Sequence, residues 1–383
     1  MRLLFITGSL VHGGAERHTI TLLNRLAQRG HECHAAYVRD DVSQLDRLKG
    51  AAGATCLHAR RYLDLAALQH LAALIKKLRP SAVVAANPYA MLYASLALRQ
   101  SGVSAPLVVT FHTTLLESAK AWLQMLYYRP FFWSADSLVF VCEAQRRHWQ
   151  RRLVSGRSNE VIHNGVDPEY WRSPGPEVSA RMRRVLGFAD DDYVIGMCAV
   201  LRPEKNPLQL IDALAGLRAR GLAPRALFIG DGPMRAAIEA RARSLGAAAA
   251  VLIAGFQHDV RPLLAAADVV ALCSTTETFS LAALEAMAIG RPVVLSEVGG
   301  AAEMVRPARE GFLFPVGDTR ALVDRLSALH GADLRRRAGA AARETVEARF
   351  SERAMVDRYE TLLQQLVLKR SERGSLRRSA TAH

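Results

Sequence analysis

The stretch "VVALCSTTETFSLAALEAMAIGRPVVLS" (Val269–Ser296) reads as a strand, a polar loop, a short helix and a second strand. Val269–Cys273 and Pro292–Ser296 are brief apolar runs rich in β-branched residues, each bounded by turn residues. That is the pattern of strands buried on both faces of a parallel sheet. Ser280 is a suitable N-cap for a helix over Leu281–Ile289, with Gly290 as its stop and Pro292 beyond it. The stretch is apolar apart from two carboxylates, Glu277 in the loop and Glu285 within the helix. The amides of Phe279, Ser280 and Leu281 stand at the helix start, where backbone N–H groups and the positive end of the helix dipole suit a phosphate or diphosphate. Two acids beside such an anion would repel it if both touched it. They fit better as acceptors for hydroxyl groups on either side of it. The alternative is an ordinary first-turn acid and an exposed mid-helix Glu.

The same alternation extends both ways. Leu3–Thr7, Cys33–Val38, Ala82–Ala86, Leu107–Phe111, Ser137–Val141 and Glu160–Gly165 read as strands separated by helical runs. After "NGVDPEYWRSPGPEVS" (Asn164–Ser179), a Pro/Gly/Ser-rich linker, the pattern restarts. Its strands are Tyr193–Val200, Ala226–Gly230, Val251–Gly255, Val269–Cys273 and Pro292–Ser296. The expectation is α/β: two doubly wound, Rossmann-like domains facing each other across a cleft, with ligand at the carboxyl ends of the strands. A length of 383 residues suits two cores. Residues 1–165 form the expected first domain and 166–349 the second. An amphipathic helix at about 350–368 returns to the first, and 369–383 reads as a basic flexible tail.

Composition narrows the function classes. No apolar run reaches the roughly 18 residues that span a bilayer, and the start is too short in its apolar core for a signal peptide. Five cysteines, Cys33, Cys56, Cys142, Cys198 and Cys273, are scattered without CxxC or Cys/His spacing. Disulfides and structural zinc are therefore not expected, and a reducing cytoplasm fits. The net charge of +14 is concentrated in the tail from Lys369 and between Lys120 and Arg157. In the latter, Arg146, Arg147, Arg151 and Arg152 lie near Trp122, Tyr127, Tyr128, Phe131, Phe132, Trp133 and Trp149. One reading is a solvated face. The other is an anionic membrane surface as partner, from the cytoplasmic side. No nucleic-acid module is visible, so no nucleic-acid partner is expected.

Glu277 to Glu285 has Glu-x7-Glu spacing. Further blocks are "FIGDGP" (Phe228–Pro233), "AGFQHDVRPLLAAADVVALCS" (Ala254–Ser274), "AMAIGRPVVLSEVGGAAEMV" (Ala286–Val305), "EGFLFPVGD" (Glu310–Asp318), "VIHNGVD" (Val161–Asp167) and "GSLVHGGAER" (Gly8–Arg17). Together they resemble retaining glycosyltransferases of family 4 (group 1), which have the GT-B fold. The resemblance implies sugar transfer from a nucleotide-diphosphate sugar to a hydroxyl of a glycan or glycolipid acceptor, such as a lipid-linked or lipopolysaccharide precursor. It implies that Gly13 and Gly14 face the donor diphosphate. It further implies that Lys205 and Arg202 of "RPEKNP" neutralise the leaving group, although many relatives place an Arg where this chain has Val200. By the same resemblance Phe256 and Gln257 are expected to hold the nucleobase, Glu303 to line the donor pocket, and His112 of "TFHTT" to lie against the donor sugar. Glu277, with Thr278, Phe279, Ser280 and Leu281, is expected to grip sugar and diphosphate, and Glu285 to hold the ribose. Glu16 and Arg17 are expected to belong to the glycine loop or to acceptor contacts. His163 is expected to order the linker, and Cys142 carries no assigned chemistry.

No His/Asp cluster with metal-ligating spacing stands out, so neither a cofactor nor a metal is expected and positive side chains replace the cation. Three rivals stay open: a nucleotide-sugar epimerase on the same fold, a phosphorylase or glycan-synthase relative, and a non-catalytic nucleotide-sugar-binding protein. The nucleotide, the sugar and the acceptor are not readable from these residues.

Overall fold

The computed structural model describes residues 1–11, 13–113 and 119–380, with backbone only for 119–122 and 373–380. Thr114 of "TFHTT", the side chains of Lys120 and Trp122 and residues 381–383 of the basic tail therefore lie outside the described residues. The chain forms two compact units, Met1–His163 with Met355–His383, and Asn164–Ala354.

The first unit is built on seven strands: β1 (Arg2–Thr7), β2 (Glu32–Tyr37), β3 (Gly53–Cys56), β4 (Ala82–Ala86), β5 (Leu107–Phe111), β6 (Ser137–Phe140) and β7 (Ser158–Val161). Their order is β3-β2-β1-β4-β5-β6-β7, and every pair is parallel. Successive side chains of a strand point to opposite faces, and each face here has its own core. Leu4 and Ile6 pack with Leu71, Ile75, Met91 and Phe132. Leu3 and Phe5 pack with Leu22 and Leu26 of the first helix and with Met355, Tyr359 and Leu363. The final helix, Glu352–Ala380, thus contributes to this core, and its backbone stays helical past residue 369, beyond the point where the composition suggested a flexible tail.

The second unit has β8 (Tyr193–Cys198), β9 (Pro224–Ile229), β10 (Val251–Ile253), β11 (Val269–Leu272), β12 (Val293–Ser296) and β13 (Gly311–Phe314). The order is β10-β9-β8-β11-β12-β13, again all parallel. Helix Pro207–Arg218 packs on Thr319–Ala328, and Leu281–Ala288 packs on Ala332–Arg349. β3 and β13 are edge strands of four residues each, and neither was among the strands read from the sequence. Among the described residues no helix is long and apolar enough to cross a membrane. None of the five cysteines is in a disulfide.

In each sheet the chain reverses direction of winding once, between β1 and β4 and between β8 and β11. Loops leaving the carboxyl ends of such a strand pair diverge and leave a crevice, which is where ligands of open α/β sheets bind. The segments after β1, β8 and β11 are those that carry the motifs.

Candidate functional site

In the second unit, β8 and β11 are hydrogen-bonded neighbours although some 70 residues separate them in sequence. The loop after β8 passes through Leu201, which is fully buried, into a single 3-10 turn, Pro203–Lys205. The loop after β11 is tied to that turn: the Thr275 amide donates to the Glu204 carbonyl at 2.8 Å. This brings the Lys205 ammonium to 2.5 Å from Glu277 Oε2, with both side chains a quarter exposed. The pair is placed by sheet topology.

Two further segments fix the Glu277 loop. Gly300 donates to the Thr278 carbonyl at 2.8 Å, and Gly299 adopts φ +54°. A Cβ on Gly299 would lie 2.1 Å from the Glu277 carbonyl oxygen and 2.5 Å from that of Thr278. The close approach therefore demands glycine on both counts, conformation and space. From the linker, Asn164 Nδ2 donates to the Phe279 carbonyl at 3.2 Å. The Phe279 ring packs against Phe350 at 5.5 Å.

The helix then starts as expected, with Ser280 Oγ accepting from the Ala283 amide at 3.3 Å. It runs Leu281–Ala288. Glu285 is 4% exposed, so it is not the exposed mid-helix acid of the alternative reading. A cavity of about 20 Å³ lies behind the loop, lined by Glu277, Thr278, Ser280, Val298 and Met304 among others. It has room for a water-sized group and none for a nucleotide.

The remaining residues expected in this half are spread more widely. Arg202 is 59% exposed, 3.9 Å from Glu204, and does not join the Lys205–Glu277 pair. Glu303 lies partly buried in the one-turn helix Ala301–Met304. Phe256 is 65% exposed, and Gln257 Nε2 donates to the Ala254 carbonyl at 2.8 Å. Both follow the edge strand β10, two strands from β8.

In the first unit Gly13 is the N-cap of helix Gly14–Gln28, in extended conformation. A Cβ on Gly13 would lie 2.3 Å from the Glu16 carboxylate, whereas one on Gly14 would meet nothing within 4 Å. Burial raises the Glu16 pKa. His112 follows β5, and its amide donates to Asn87 Oδ1 at 3.0 Å. Asn87, directly after β4, is held at φ +68°.

The His112 ring lies 4.6 Å from that of His18, which in turn lies 5.4 Å from Tyr359. Neither His18 ring nitrogen nor the Tyr359 hydroxyl has a hydrogen-bond partner, and all three atoms are buried. Burial lowers the His112 pKa to about 4. Burial, and then the His112 charge, place His18 well below its ordinary range. His18 was not singled out in the sequence; its helical position on an apolar face gave no sign of a ring partner at residue 112.

Among the described residues one trio of metal-ligating side chains converges, Asp40, Cys56 and His58 at the carboxyl ends of β2 and β3. Asp40 Oδ2 and His58 Nδ1 are 3.3 Å apart, and both side chains are mostly exposed. The trio does not include any residue expected at the site.

Comparison with known proteins fits this geometry. The model of the family described as Glycosyltransferase Family 4 matches residues 12–170, and that of Glycosyl transferases group 1 matches residues 178–345. EpsD of Bacillus subtilis (strain 168) is 33% identical over 252 residues, 64% of this chain and 65% of its own length. The chain thus spans less than two thirds of that relative, and about half of the N-acetyl-alpha-D-glucosaminyl L-malate synthase of Bacillus anthracis. The UDP-Gal:alpha-D-GlcNAc-diphosphoundecaprenol alpha-1,3-galactosyltransferase of Escherichia coli is 27% identical over 280 residues, 71% of this chain and 72% of its own. Among solved structures, Anabaena HepE in complex with UDP superposes with a TM-score of 0.86 at 22% identity, covering 95% of this chain and all of that one. With two doubly wound units and family matches across both, the chain belongs to the GT-B fold glycosyltransferases of family 4.

Proposed function

We propose that the protein transfers a sugar, with retention of anomeric configuration, from a nucleoside diphosphate sugar to a hydroxyl of a lipid-linked glycan or polysaccharide precursor. The observation that carries this reading is the Lys205–Glu277 pair at the topological switch of the second unit, beside the Ser280-capped helix start.

The donor diphosphate lies at that helix start, where the dipole favours negative charge. As the bond from the anomeric carbon to the phosphate oxygen breaks, charge gathers on the leaving diphosphate. The Lys205 ammonium turns to it, which stabilises the departing group most when its charge is greatest. Glu277, relieved of its partner, accepts hydrogen bonds from hydroxyls of the transferred sugar. The acceptor oxygen bonds to the anomeric carbon on the face the phosphate leaves, and its proton passes to a phosphate oxygen. Glu285 is assigned to the ribose, Phe256 and Gln257 to the base, and Arg202 and Glu303 to the rim of the donor site. The roles of Gly13, Gly14 and His112, which lie in the first unit, rest on the family resemblance. The Lys205 ammonium and a helix dipole supply the positive charge, so the reading includes no metal.

UDP is the first nucleotide to test, because the Escherichia coli relative is named for UDP-Gal and HepE was solved with UDP. The same relative's diphosphoundecaprenol acceptor supports a lipid-linked substrate, as do the basic and aromatic residues of the first unit, which suit an anionic membrane surface.

The test is a thermal-shift panel of nucleotide sugars followed by release of nucleoside diphosphate with the best binder. Glu277→Ala should abolish transfer with the fold intact, and activity should survive EDTA. Near-normal turnover of the Glu277→Ala protein refutes the role given to Glu277. Loss with EDTA that Mn²⁺ restores refutes the metal-free site.

A further inference from the structure

At the carboxyl ends of β2 and β3 three side chains of metal-binding chemistry meet, and none has a role in the reading above. The ligand atoms of Asp40, Cys56 and His58 all lie within 4.8 Å of one another. Strand pairing brings them together. β2 and β3 run parallel, with Tyr37 opposite Cys56. The chain beyond both strands stays laced: the Leu57 amide donates to the Tyr37 carbonyl and the Ala59 amide to the Val38 carbonyl, each at 2.9 Å. On the far side of β2 the Arg39 amide donates to the Gly8 carbonyl at 3.0 Å. Backbone bonds of the sheet thus fix the segments that carry the three groups. Sequence spacing gave no sign of this, because Asp40 reaches the other two only through the pairing of β2 with β3.

The separations suit a tetrahedral shell. Bonds of the length Zn²⁺ makes put nitrogen and oxygen ligands about 3.4 Å apart, and a thiolate about 3.6 Å from either. Asp40 Oδ2 and His58 Nδ1 are 3.3 Å apart. Cys56 Sγ has at most about 1.2 Å to close, which a side-chain rotation covers. Cys56 packs, partly buried, against Leu10, Ile20 and Tyr37, whereas Asp40 and His58 are mostly exposed. The sulfur therefore has an apolar backing, and solvent reaches the other two ligands. His58 adopts φ +51°, which costs a non-glycine residue energy. Its amide donates to Cys56 Sγ at 3.4 Å, a bond that leaves the sulfur lone pairs for a metal. An exposed ion pair with Asp40 returns little of that cost; a metal bond at Nδ1 offsets it.

The donor set selects the ion. A thiolate, an imidazole and a carboxylate suit Zn²⁺, whereas Mg²⁺ and Ca²⁺ take oxygen ligands. One thiolate and one carboxylate balance the charge of the ion, so the filled site is neutral. We propose that Asp40, Cys56 and His58 bind one Zn²⁺, with water as the fourth ligand, and that the ion pins the edge strand β3 to the end of β2. Binding releases the thiol proton to solvent. This centre shares no residue with the metal-free donor site proposed above and does not depend on the sugar-transfer reading.

The experiment titrates the full chain, freed of metal by dialysis against EDTA, with Co²⁺ as the spectroscopic stand-in for Zn²⁺. One Co²⁺ per chain should give a thiolate-to-metal charge-transfer band and the visible d–d bands of tetrahedral geometry, and Zn²⁺ should remove both by displacement. Cys56→Ser should lose the charge-transfer band. Cys198→Ser, at the other partly buried cysteine, should keep it. His58→Asn, a residue type that tolerates the left-handed conformation, should bind Zn²⁺ at least about tenfold more weakly. Zn²⁺ should raise the urea midpoint of the wild type, read by tryptophan fluorescence, and leave that of Cys56→Ser unmoved.

Absence of the charge-transfer band, or a band that survives Cys56→Ser, overturns the proposal. Weak Co²⁺ binding with octahedral spectra means an adventitious ion only and overturns it as well. Should Cys56→Ser fail to fold, alkylation of the wild-type chain decides, mapped by peptide mass. Zn²⁺ should slow the reaction of iodoacetamide with Cys56 at least about tenfold and leave that with Cys198 unchanged. Equal rates at Cys56 with and without Zn²⁺ refute the site.

Discussion

Lowering the pH from 7.5 to 5 should destabilise the first unit through its buried imidazoles, and the structure gives the size. His112 has its pKa depressed from 6.5 to about 4 by burial. In the unfolded chain it takes up a proton as the pH falls through about 6.5, while in the folded protein it does not until about 4. Below 6.5 the unfolded state therefore binds more protons, and stability falls until the folded pKa is reached. The full depression corresponds to about 3.4 kcal/mol, and between pH 7.5 and 5 the loss from His112 alone is about 2 kcal/mol. His18 is shifted in the same direction and adds to it.

The assay is urea unfolding followed by tryptophan fluorescence. Trp122, Trp133 and Trp149 belong to the first unit and only Trp171 to the second, so the signal reports mainly on the unit in question. In His112→Phe the drop between the two pH values should shrink by about 2 kcal/mol. Carboxylates that also contribute to the pH dependence, Glu16 with its burial-raised pKa among them, are common to both proteins and cancel in the difference. Equal pH dependence in wild type and His112→Phe would refute the argument.

Gly299→Ala should destabilise the second unit by at least about 1 kcal/mol, since the position combines φ +54° with a 2.1 Å approach to the Glu277 carbonyl; it should also weaken donor binding in the thermal-shift assay, because the displaced backbone carries Glu277. Glu310 is fully buried and accepts from the Arg306 amide at 2.8 Å and from Thr345 Oγ1 at 2.8 Å. Burial would raise its pKa, but these bonds and the Arg306 guanidinium hold it below the usual range. Glu310→Ala should cost roughly 1.5–3 kcal/mol, read as a lower urea midpoint with UDP affinity retained in the folded protein. Ser280→Ala removes a helix cap and should cost about 1 kcal/mol, again by urea unfolding.

The alternation of apolar strands and helices was legible because buried parallel strands leave continuous hydrophobic runs, as in Ala82–Ala86 and Leu107–Phe111. Gly53–Cys56 and Gly311–Phe314 escaped it: edge strands of four residues are too short for such a run to stand out. The Ser280 cap and the Gly290 stop were readable for the same local reason. The Lys205–Glu277 pair was not, since no periodicity reports that β8 lies beside β11 rather than beside the strands nearest in sequence. Asn164 looked like part of a turn, and its bond to the Phe279 carbonyl depends on where the linker runs. Likewise nothing local in "GGAERHTI" says that His18 meets the ring of His112. Strand order, not strand identity, is the information that one sequence withholds.

The adjacency of β8 and β11 has a temporal side. Lys205 leaves the ribosome 72 residues before Glu277, and the two cannot meet until β11 has been made and paired with β8. A truncated chain ending before β11 keeps the cation but has neither its counter-ion nor the capped helix beside it. On the proposed function, capture of a sugar nucleotide is therefore a late event in biogenesis, and ligand present at that moment would favour completion of the sheet over partly assembled forms.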